Sequence, residues 1–406
     1  MDIKIRQIKK KELPDFVRVI EHAFGMPMRA SDIPTFARKI DVSRMHAAFD
    51  DEDIVGTAGV YPFTFHVPGG DISAAGVTMV GVLPSHRRKG ILRNMMRVQL
   101  DDIHKRNEPI AVLWASEESI YQRFGYGLAA HHGRIDIESD RTGFLNDDGP
   151  VGRIRMVAAD EALKILPSIY ERVRANTVGM YERSPAWWEV HSLYDPEHIR
   201  HGASHYFFGI FELDGVPEGY IAYRIRASWE DDSTPSGKVE VSEAFGTSPV
   251  AIRELWRYAF GIDLVTRIQA AYLPSDFPLL LMMQEPRRLR FSLSDTLWLR
   301  VVDVAAALEA RSYETHATLT FDVSDEFCEW NTGRWKLDAK AGKVTRTKDD
   351  ADIACSINEL GATYLGETTF TRLADAGRVR ELRPGAIREA DAMFRRDRAP
   401  WIPENF

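Results

Sequence analysis

The 406-residue sequence predicts an α/β (α+β) fold: a β-turn-helix-β unit, a second module with the same order of elements, and a third, smaller module of short strands and helices. Three observations predict it. Over 77–83, Val77, Met79, Gly81 and Leu83 alternate with Thr78, Val80 and Val82, with the β-branched content of a strand. Ile91, Leu92, Met95, Met96, Leu100 and Ile103 then fall at helical spacing, and a second apolar run over 110–115 follows a helix length later, so the two strands run parallel. Further along, a strand pattern over 239–245, a helical pattern over Pro249–Phe260 and a strand pattern over 265–272 repeat that order.

At the N-terminus, residues 1–8 alternate polar and apolar like a first strand and contain no apolar stretch of the kind that directs export. Residues 13–24 have helical spacing with Pro14 in the first turn and Gly25 closing it, and a second helix is expected over 32–40. Strand, acidic turn and strand follow over 45–62, and 63–67, the Pro68-Gly69-Gly70-Asp71 turn and 72–82 read as another hairpin. The acidic run at Asp50–Asp53 is a solvated turn, since no other ligand set accompanies it.

Between the strand ending near Pro84 and the helix starting near Gly90 lie Arg87, Arg88, Lys89 and Gly90. They set cationic side chains and a backbone without Cβ hindrance at a helix start, where unpaired N–H groups and the positive dipole end face outward. That is a seat for phosphate. After the 110–115 strand, Ser116 offers an N-cap, Ile120, Tyr121 and Phe124 fill a short helix, Gly125 sits at the C′ position, and Tyr126 makes the hydrophobic contact beyond it.

These residues resemble a family. The run from Val80 through Arg87, Arg88 and Gly90 to Leu92 resembles the acyl-CoA-binding motif of the GCN5-related N-acetyltransferases, Arg/Gln-x-x-Gly-x-Gly/Ala, and Tyr121 to Tyr126 resembles the segment holding their general-acid tyrosine. Leu92 stands where the last small residue of the motif is expected. With Ala115-Ser116-Glu117 before Ile120-Tyr121 and the ending Glu404-Asn405-Phe406, this is similar to the Eis (enhanced intracellular survival) branch. The resemblance implies two tandem acetyltransferase-like domains, at 1–150 (catalytic) and 151–294 (degenerate), and a sterol-carrier-protein-like domain at 295–406 whose C-terminus reaches the active site.

The remaining elements suit that layout. His131 and His132 are adjacent and point to opposite faces of a strand, so one metal ion is not expected between them. The stretch 143–152 reads as an exit loop, and a helix is expected over 161–176 before a hairpin over 206–226 with Asp214-Gly215 at its turn. In the second unit the strand-to-helix link is Gly246-Thr247-Ser248-Pro249, with no arginine pair, so it lacks the means to grip a pyrophosphate. Short strands over 317–323, 333–337, 343–347 and 353–357 and helices over 305–310, 357–364, 370–376 and 386–394 make the third module, where a lipid cavity is conceivable on the fold alone.

The net charge, 52 minus 60 or −8, argues against a nucleic-acid binder and leaves a cationic substrate compatible. No apolar run approaches the ~20 residues of a membrane helix, and the two cysteines, Cys328 and Cys355, make neither a disulfide framework nor a zinc spacing. A cytoplasmic protein binding no metal, nucleic acid or membrane is expected.

Acetyl-CoA presents a pyrophosphate, an amide-rich pantetheine arm and a thioester carbonyl. The N–H groups of Arg88, Lys89 and Gly90 with the Arg87 and Arg88 side chains suit the first; Val80, Gly81 and Val82 offer backbone groups to the second and third; Ile91 opens the helix; Ser116 either caps its helix or contacts the cofactor. Tyr121, a phenol of reference pKa about 10, fits the acid that protonates the leaving thiolate, with Tyr126 its rival. The resemblance implies that the Phe406 carboxylate helps deprotonate the amine, that Phe24, Met28 and Phe36 border the substrate pocket, that the substrates are polycationic amines such as aminoglycosides, and that the assembly is a homohexamer; Glu404 is a further candidate for the substrate pocket. Protein lysine side chains, or a CoA- or lipid-binding module without catalysis, are the alternatives.

Overall fold

A computed structural model describes residues 3–145, 147 and 149–406; Met1 and Asp2 of the expected first strand and Asn146 and Asp148 of the expected exit loop lie outside the described residues. The first stretch of chain forms β1 (Ile3–Gln7), α1 (Leu13–Phe24), α2 (Ile33–Ala37), β2 (Met45–Asp50), β3 (Asp53–Val67), β4 (Gly70–Val82), α3 (Ile91–Lys105), β5 (Ile110–Leu113), α4 (Glu118–Tyr121) and β6 (Gly127–Glu138). Next come β7 (Arg153–Val157), α5 (Ala159–Arg174), α6 (Pro185–Trp187), β8 (Phe207–Leu213), β9 (Val216–Arg226), β10 (Gly237–Gly246), α7 (Pro249–Phe260), β11 (Val265–Pro274) and α8 (Leu279–Met282). The last stretch holds β12 (Ser292–Val301), α9 (Val304–Glu309), β13 (Thr318–Ser324), β14 (Gly333–Asp338), β15 (Lys343–Arg346), β16 (Ile353–Ser356), α10 (Ile357–Thr363), α11 (Phe370–Asp375), β17 (Arg380–Glu381) and α12 (Ala386–Phe394).

The α/β class holds. The chain gathers into two compact units, one made of the residues up to Ala130 with Thr296–Asp397 and Asn405–Phe406, the other of His131–Asp295 with Arg398–Glu404. Most of the stretches expected as first and third domains therefore share one unit, while 131–150, Asp295 and 398–404 fall in the other.

In the first unit β1 to β4 are joined as antiparallel neighbours, β5 runs parallel to β4, and β12 pairs antiparallel with β5 through Trp298↔Leu113 to Val301↔Ile110. A separate sheet in the order β15-β14-β13-β16-β17 belongs to the same unit. Helix α3 buries Ile91, Met95, Met96, Leu100 and Ile103, the face its spacing foretold. Met96, Leu100 and Ile103 join a core containing Val60, Val77, Leu113, Tyr121, Phe124 and Tyr126 from the N-terminal stretch and Trp298, Val302 and Phe327 from the C-terminal one. At ~25 cal/mol per Å² of apolar surface, such mixed packing ties the two stretches into one body.

The second unit has the strand order β6-β11-β10-β9-β8-β7, with β10 and β11 parallel and the rest antiparallel.

Three expectations need correction. The alternation over 77–83 predicts a regular strand, yet β4 carries a bulge: Thr57 pairs with Gly81 and Gly59 with Thr78, and Met79 takes a left-handed φ of 53°. Thr57 Oγ1 donates to the Met79 carbonyl at 2.8 Å and fixes the distortion. Helix α2 stops at Ala37 rather than reaching residue 40, because Arg38, Lys39 and Ile40 donate three residues back, to Thr35, Phe36 and Ala37, and tighten into turns. Ser116 does not cap α4; Glu117 holds that position without a side-chain bond.

Candidate active site

The site grows from the end of β4. Pairing between β4 and β5 covers only Ala74↔Ile110, Ala75↔Ala111 and Gly76↔Val112, after which the strands part. Beyond the bulge at Met79, Val80, Gly81 and Val82 line the opening. The chain then passes a short turn, Pro84–His86, and Arg88 and Gly90 adopt left-handed φ values of 64° and 79°. Gly90 caps α3 without any side-chain bond, and Asn94 N to Gly90 O is the first intrahelical hydrogen bond, so the N–H groups of Ile91, Leu92 and Arg93 precede the ladder. Among the described residues, apart from its chain neighbours, nothing lies within 4 Å of where a Gly90 Cβ would be, which leaves the helix start open.

A cavity of about 840 Å³ occupies this opening. Its wall includes Phe24, Val80, Gly81, Val82, Arg87, Arg88, Gly90 and Ile91 on one side and Ser116, Ile120 and Tyr121 on the other. Arg93, Arg123 and His86 also line it, while Glu117 is the one acid in the wall among the described residues. Several guanidinium groups facing a helix N-terminus repel one another unless an anion sits among them, so the lining fits a phosphate-bearing ligand. Arg87 is steered by its contacts with the carbonyls of Val82 at 3.3 Å and Ala23 at 3.4 Å.

Tyr121 ends the one-turn helix α4 and is 5% exposed. Burial pushes its phenol up to about 12, so the hydroxyl keeps its proton at neutral pH and has one to donate. Tyr126 meets it edge-on, with ring centroids 5.9 Å apart. Tyr126 is fully buried, its hydroxyl has no hydrogen-bond partner among the described residues, and it is absent from the cavity wall, so it packs.

Comparison with known proteins accords with this geometry. Residues 4–129 match a family described as "Acetyltransferase (GNAT) domain", residues 179–301 match a second family of the same description, and residues 304–403 match "Sterol carrier protein domain". An "Uncharacterized N-acetyltransferase" of Streptomyces avermitilis is 39% identical over the whole of both chains. "N-acetyltransferase Eis" of Mycobacterium tuberculosis is 32% identical over 85% of this chain and 84% of its own. The chain belongs to the Eis family of N-acetyltransferases. The crystal structure of Eis1 from Mycobacterium abscessus superposes with a TM-score of 0.87 over the full length of both chains at 34% identity. The protein is thus an N-acetyltransferase with two GNAT domains followed by a sterol-carrier-like domain, and GNAT acetyltransferases use acetyl-CoA as acyl donor.

Not every residue singled out in the sequence reaches the cavity of this Eis-family chain. Lys89 is exposed and lies outside the wall. Phe24, 40% exposed, lines it, but Met28 and Phe36 pack against the cluster built on Leu13, Phe16, Val17 and Met45. Their spacing served that N-terminal core. Phe406 sets its ring edge-on to Phe63 with centroids 4.9 Å apart. Phe63 in turn covers Gly76, where a Cβ would fall 2.2 Å from its ring, and Gly76 is the last residue of β4 paired to β5.

Glu404, expected at the substrate pocket, is instead consumed inside the second unit. Its Oε1 accepts from Tyr181 at 2.9 Å, Arg183 Nε at 2.6 Å and Trp187 Nε1 at 3.0 Å, and its Oε2 accepts from Ser192 at 3.0 Å. Arg183 is fully buried and also meets Glu243 at 2.6 Å. Burial pushes both carboxyls up; Arg183, with His191 and the hydrogen bonds, outweighs it at Glu404, which ends below the usual range, whereas Glu243 ends above it. One guanidinium does not neutralise two carboxylates in a dry site, and the acid serves the buried charge rather than an incoming amine.

The sequence reading missed Arg93 and Arg123. The available signal was Arg93 in the first turn of α3, a cation placed against the helix dipole. Among the described residues, no group of three or more His, Cys, Asp or Glu could hold a metal ion, and no helix is long and apolar enough to cross a membrane.

Proposed function

We propose that this chain transfers acetyl from acetyl-CoA to a primary amine of a small polycationic acceptor, aminoglycosides being the class suggested by the Eis resemblance. The observation that carries the reading is one cavity holding both an uncapped, arginine-flanked helix start and a buried phenol that keeps its proton. Arg87 and Arg88 with the first N–H groups of α3 hold the pyrophosphate. The unpaired edge of β4 beyond Gly76 hydrogen-bonds the pantetheine arm, and the N–H groups of Val80 or Val82 stabilise the carbonyl oxygen as it gains charge. The amine nitrogen attacks the thioester carbon, the C–S bond breaks, and Tyr121 gives its proton to the departing sulfur before solvent restores it.

An alkylammonium has no lone pair, so the amine proton must leave first. In this reading it goes through the Phe406 carboxylate, directly or by a water, and the chain acts in the cytoplasm as the homohexamer that the resemblance implies. The test is free-thiol release from acetyl-CoA with a panel of amines, for the native protein and for one extended at its C-terminus by a few glycines. A peptide bond turns the terminal anion into a neutral amide, so the extension should cut turnover sharply while CoA affinity persists. Equal kcat/KM in the extended protein would remove Phe406 from the mechanism, and absence of thiol release with every amine would leave a CoA-binding module. Sedimentation as a monomer at micromolar concentration would remove the hexamer.

A further inference from the structure

Helix α4 is a single turn, too short to hold itself together in water. What holds it comes from the other end of the sequence, within the same compact unit. Asn358, second residue of α10, donates from Nδ2 to the carbonyl of Gln122 at 2.8 Å and to that of Tyr126 at 2.9 Å. These carbonyls bracket the turn that follows Tyr121, so one amide spans it. Asn358 is itself fixed. The Ser356–Glu359 capping box starts its helix, and its own carbonyl approaches Gly127 so closely that a Cβ there would fall 1.9 Å away.

Two further braces act on the same turn. Arg300 on β12 is fully buried, pairs with Asp325 and points Nη1 at the Gly125 carbonyl at 3.5 Å. Asp325 is held in place by Cys328 N at 2.9 Å and Asn331 Nδ2 at 2.9 Å. Phe327 meets Phe124 edge-on at 5.1 Å, while Arg97 of α3 lies 4.2 Å over the Phe327 ring and donates to the Phe327 carbonyl. The sterol-carrier-like domain, with Arg300 of the strand that precedes it, thus grips the turn beyond Tyr121 by its carbonyls and by one ring.

We propose that Asn358 is a positioning residue for Tyr121, and that the sterol-carrier-like domain sets the geometry of proton delivery. The proposal rests on Tyr121 being the general acid. A proton donor must lie within hydrogen-bond reach of the atom it serves, and a displacement of about 1 Å costs up to about 100-fold in rate. Asn358 does not line the cavity, so its loss acts on kcat through Tyr121 and leaves cofactor binding alone.

The test is a double-mutant cycle. Asn358→Ala should lower kcat by about 10- to 100-fold with acetyl-CoA KM nearly unchanged, and should add nothing in a Tyr121→Phe background. Asn358→Asp, of the same shape, exchanges the donor for an acceptor and should lose as much kcat in a protein that still unfolds cooperatively, which keeps the test decisive if the alanine variant folds poorly. An equal fall of kcat in both backgrounds, or native kcat in folded Asn358→Asp, overturns the positioning role while leaving Tyr121 as the acid. Native kcat in Tyr121→Phe alone overturns the general-acid reading, and the positioning role with it.

Discussion

Helices α3 and α7 follow corresponding strands in the two GNAT domains and begin in opposite ways. Both strands are bulged. β4 shifts register against β3 at Met79, and β10 shifts against β9 between Val241 and Glu243. Both lose their parallel partner part-way, β4 after Gly76 and β10 after Val241. In the first domain the parted strands open on a cavity and α3 starts with free N–H groups. In the second, Ser248 caps α7 by accepting from Ala251 N at 3.2 Å, Pro249 brings no N–H at all, and Thr247 N is taken by the Glu218 carbonyl at 2.9 Å. Beyond the parting, Trp401 stacks on Phe245 of β10 at 4.8 Å and donates to the Tyr272 carbonyl of β11 at 2.6 Å, bridging the two strands. The second domain keeps the strand geometry of the first, and Trp401, from the C-terminal segment that belongs to the same compact unit, fills it. The two domains thus share the parting and differ in what occupies it.

The largest test of that contrast is Tyr121→Phe, which should keep cofactor binding and lose roughly 10²- to 10⁴-fold in kcat, the scale of a general acid. Its pH dependence has a definite sign. An acid fails as pH rises through its pKa, and because burial disfavours the phenolate, the Tyr121 value stands at about 12. The native enzyme should therefore show no falling basic limb in kcat up to about pH 10. A limb near pH 9 that vanishes in Tyr121→Phe would show a phenol less buried than this one.

The next effect concerns the arginines that the second domain lacks. Arg87→Ala with Arg88→Ala should raise acetyl-CoA KM by about 10- to 100-fold, the worth of one or two hydrogen bonds to a charged group, with the fold intact because both side chains are exposed. Unchanged cofactor affinity in the folded double variant would move the phosphate seat to Arg93 and Arg123.

What was legible in the sequence was local. The helical spacing of Ile91 to Ile103, the turn at Gly90 and the tyrosine before Gly125 all stand within a few residues of what they specify, and α7 matches its expected bounds of Pro249–Phe260. The features that escaped depend on partners far along the chain. The bulge at Met79 is a matter of register against β3, and apolar alternation is blind to an extra residue on one strand. Asn358 reads as an ordinary second residue of a helix until Gln122 and Tyr126 are brought to it. Glu404 looks like a free acid near a chain end until Arg183 claims it from more than two hundred residues away.

The smallest effect probes the cap of α7. Ser248→Ala removes the oxygen that accepts from Ala251 N and should cost about 1 kcal/mol of stability, read as a lowered midpoint of unfolding in the second unit. Uncapping alone should not create a second cofactor site. Pro249 still withholds a donor at the first helical position, Thr247 N is still bonded to Glu218, and the Glu218 side chain, paired with Arg172 at 2.6 Å, keeps a carboxylate at the turn where a phosphate would have to sit. Titration of the variant should give the same CoA stoichiometry and affinity as the native protein, one CoA per chain being expected for both. A second binding event appearing with Ser248→Ala would mean that a single hydroxyl separates the two domains and that the occupancy of the parted strands by Trp401 is incidental; its absence, with stability lowered, assigns the loss of binding to the whole set of groups that fill the turn and the cleft.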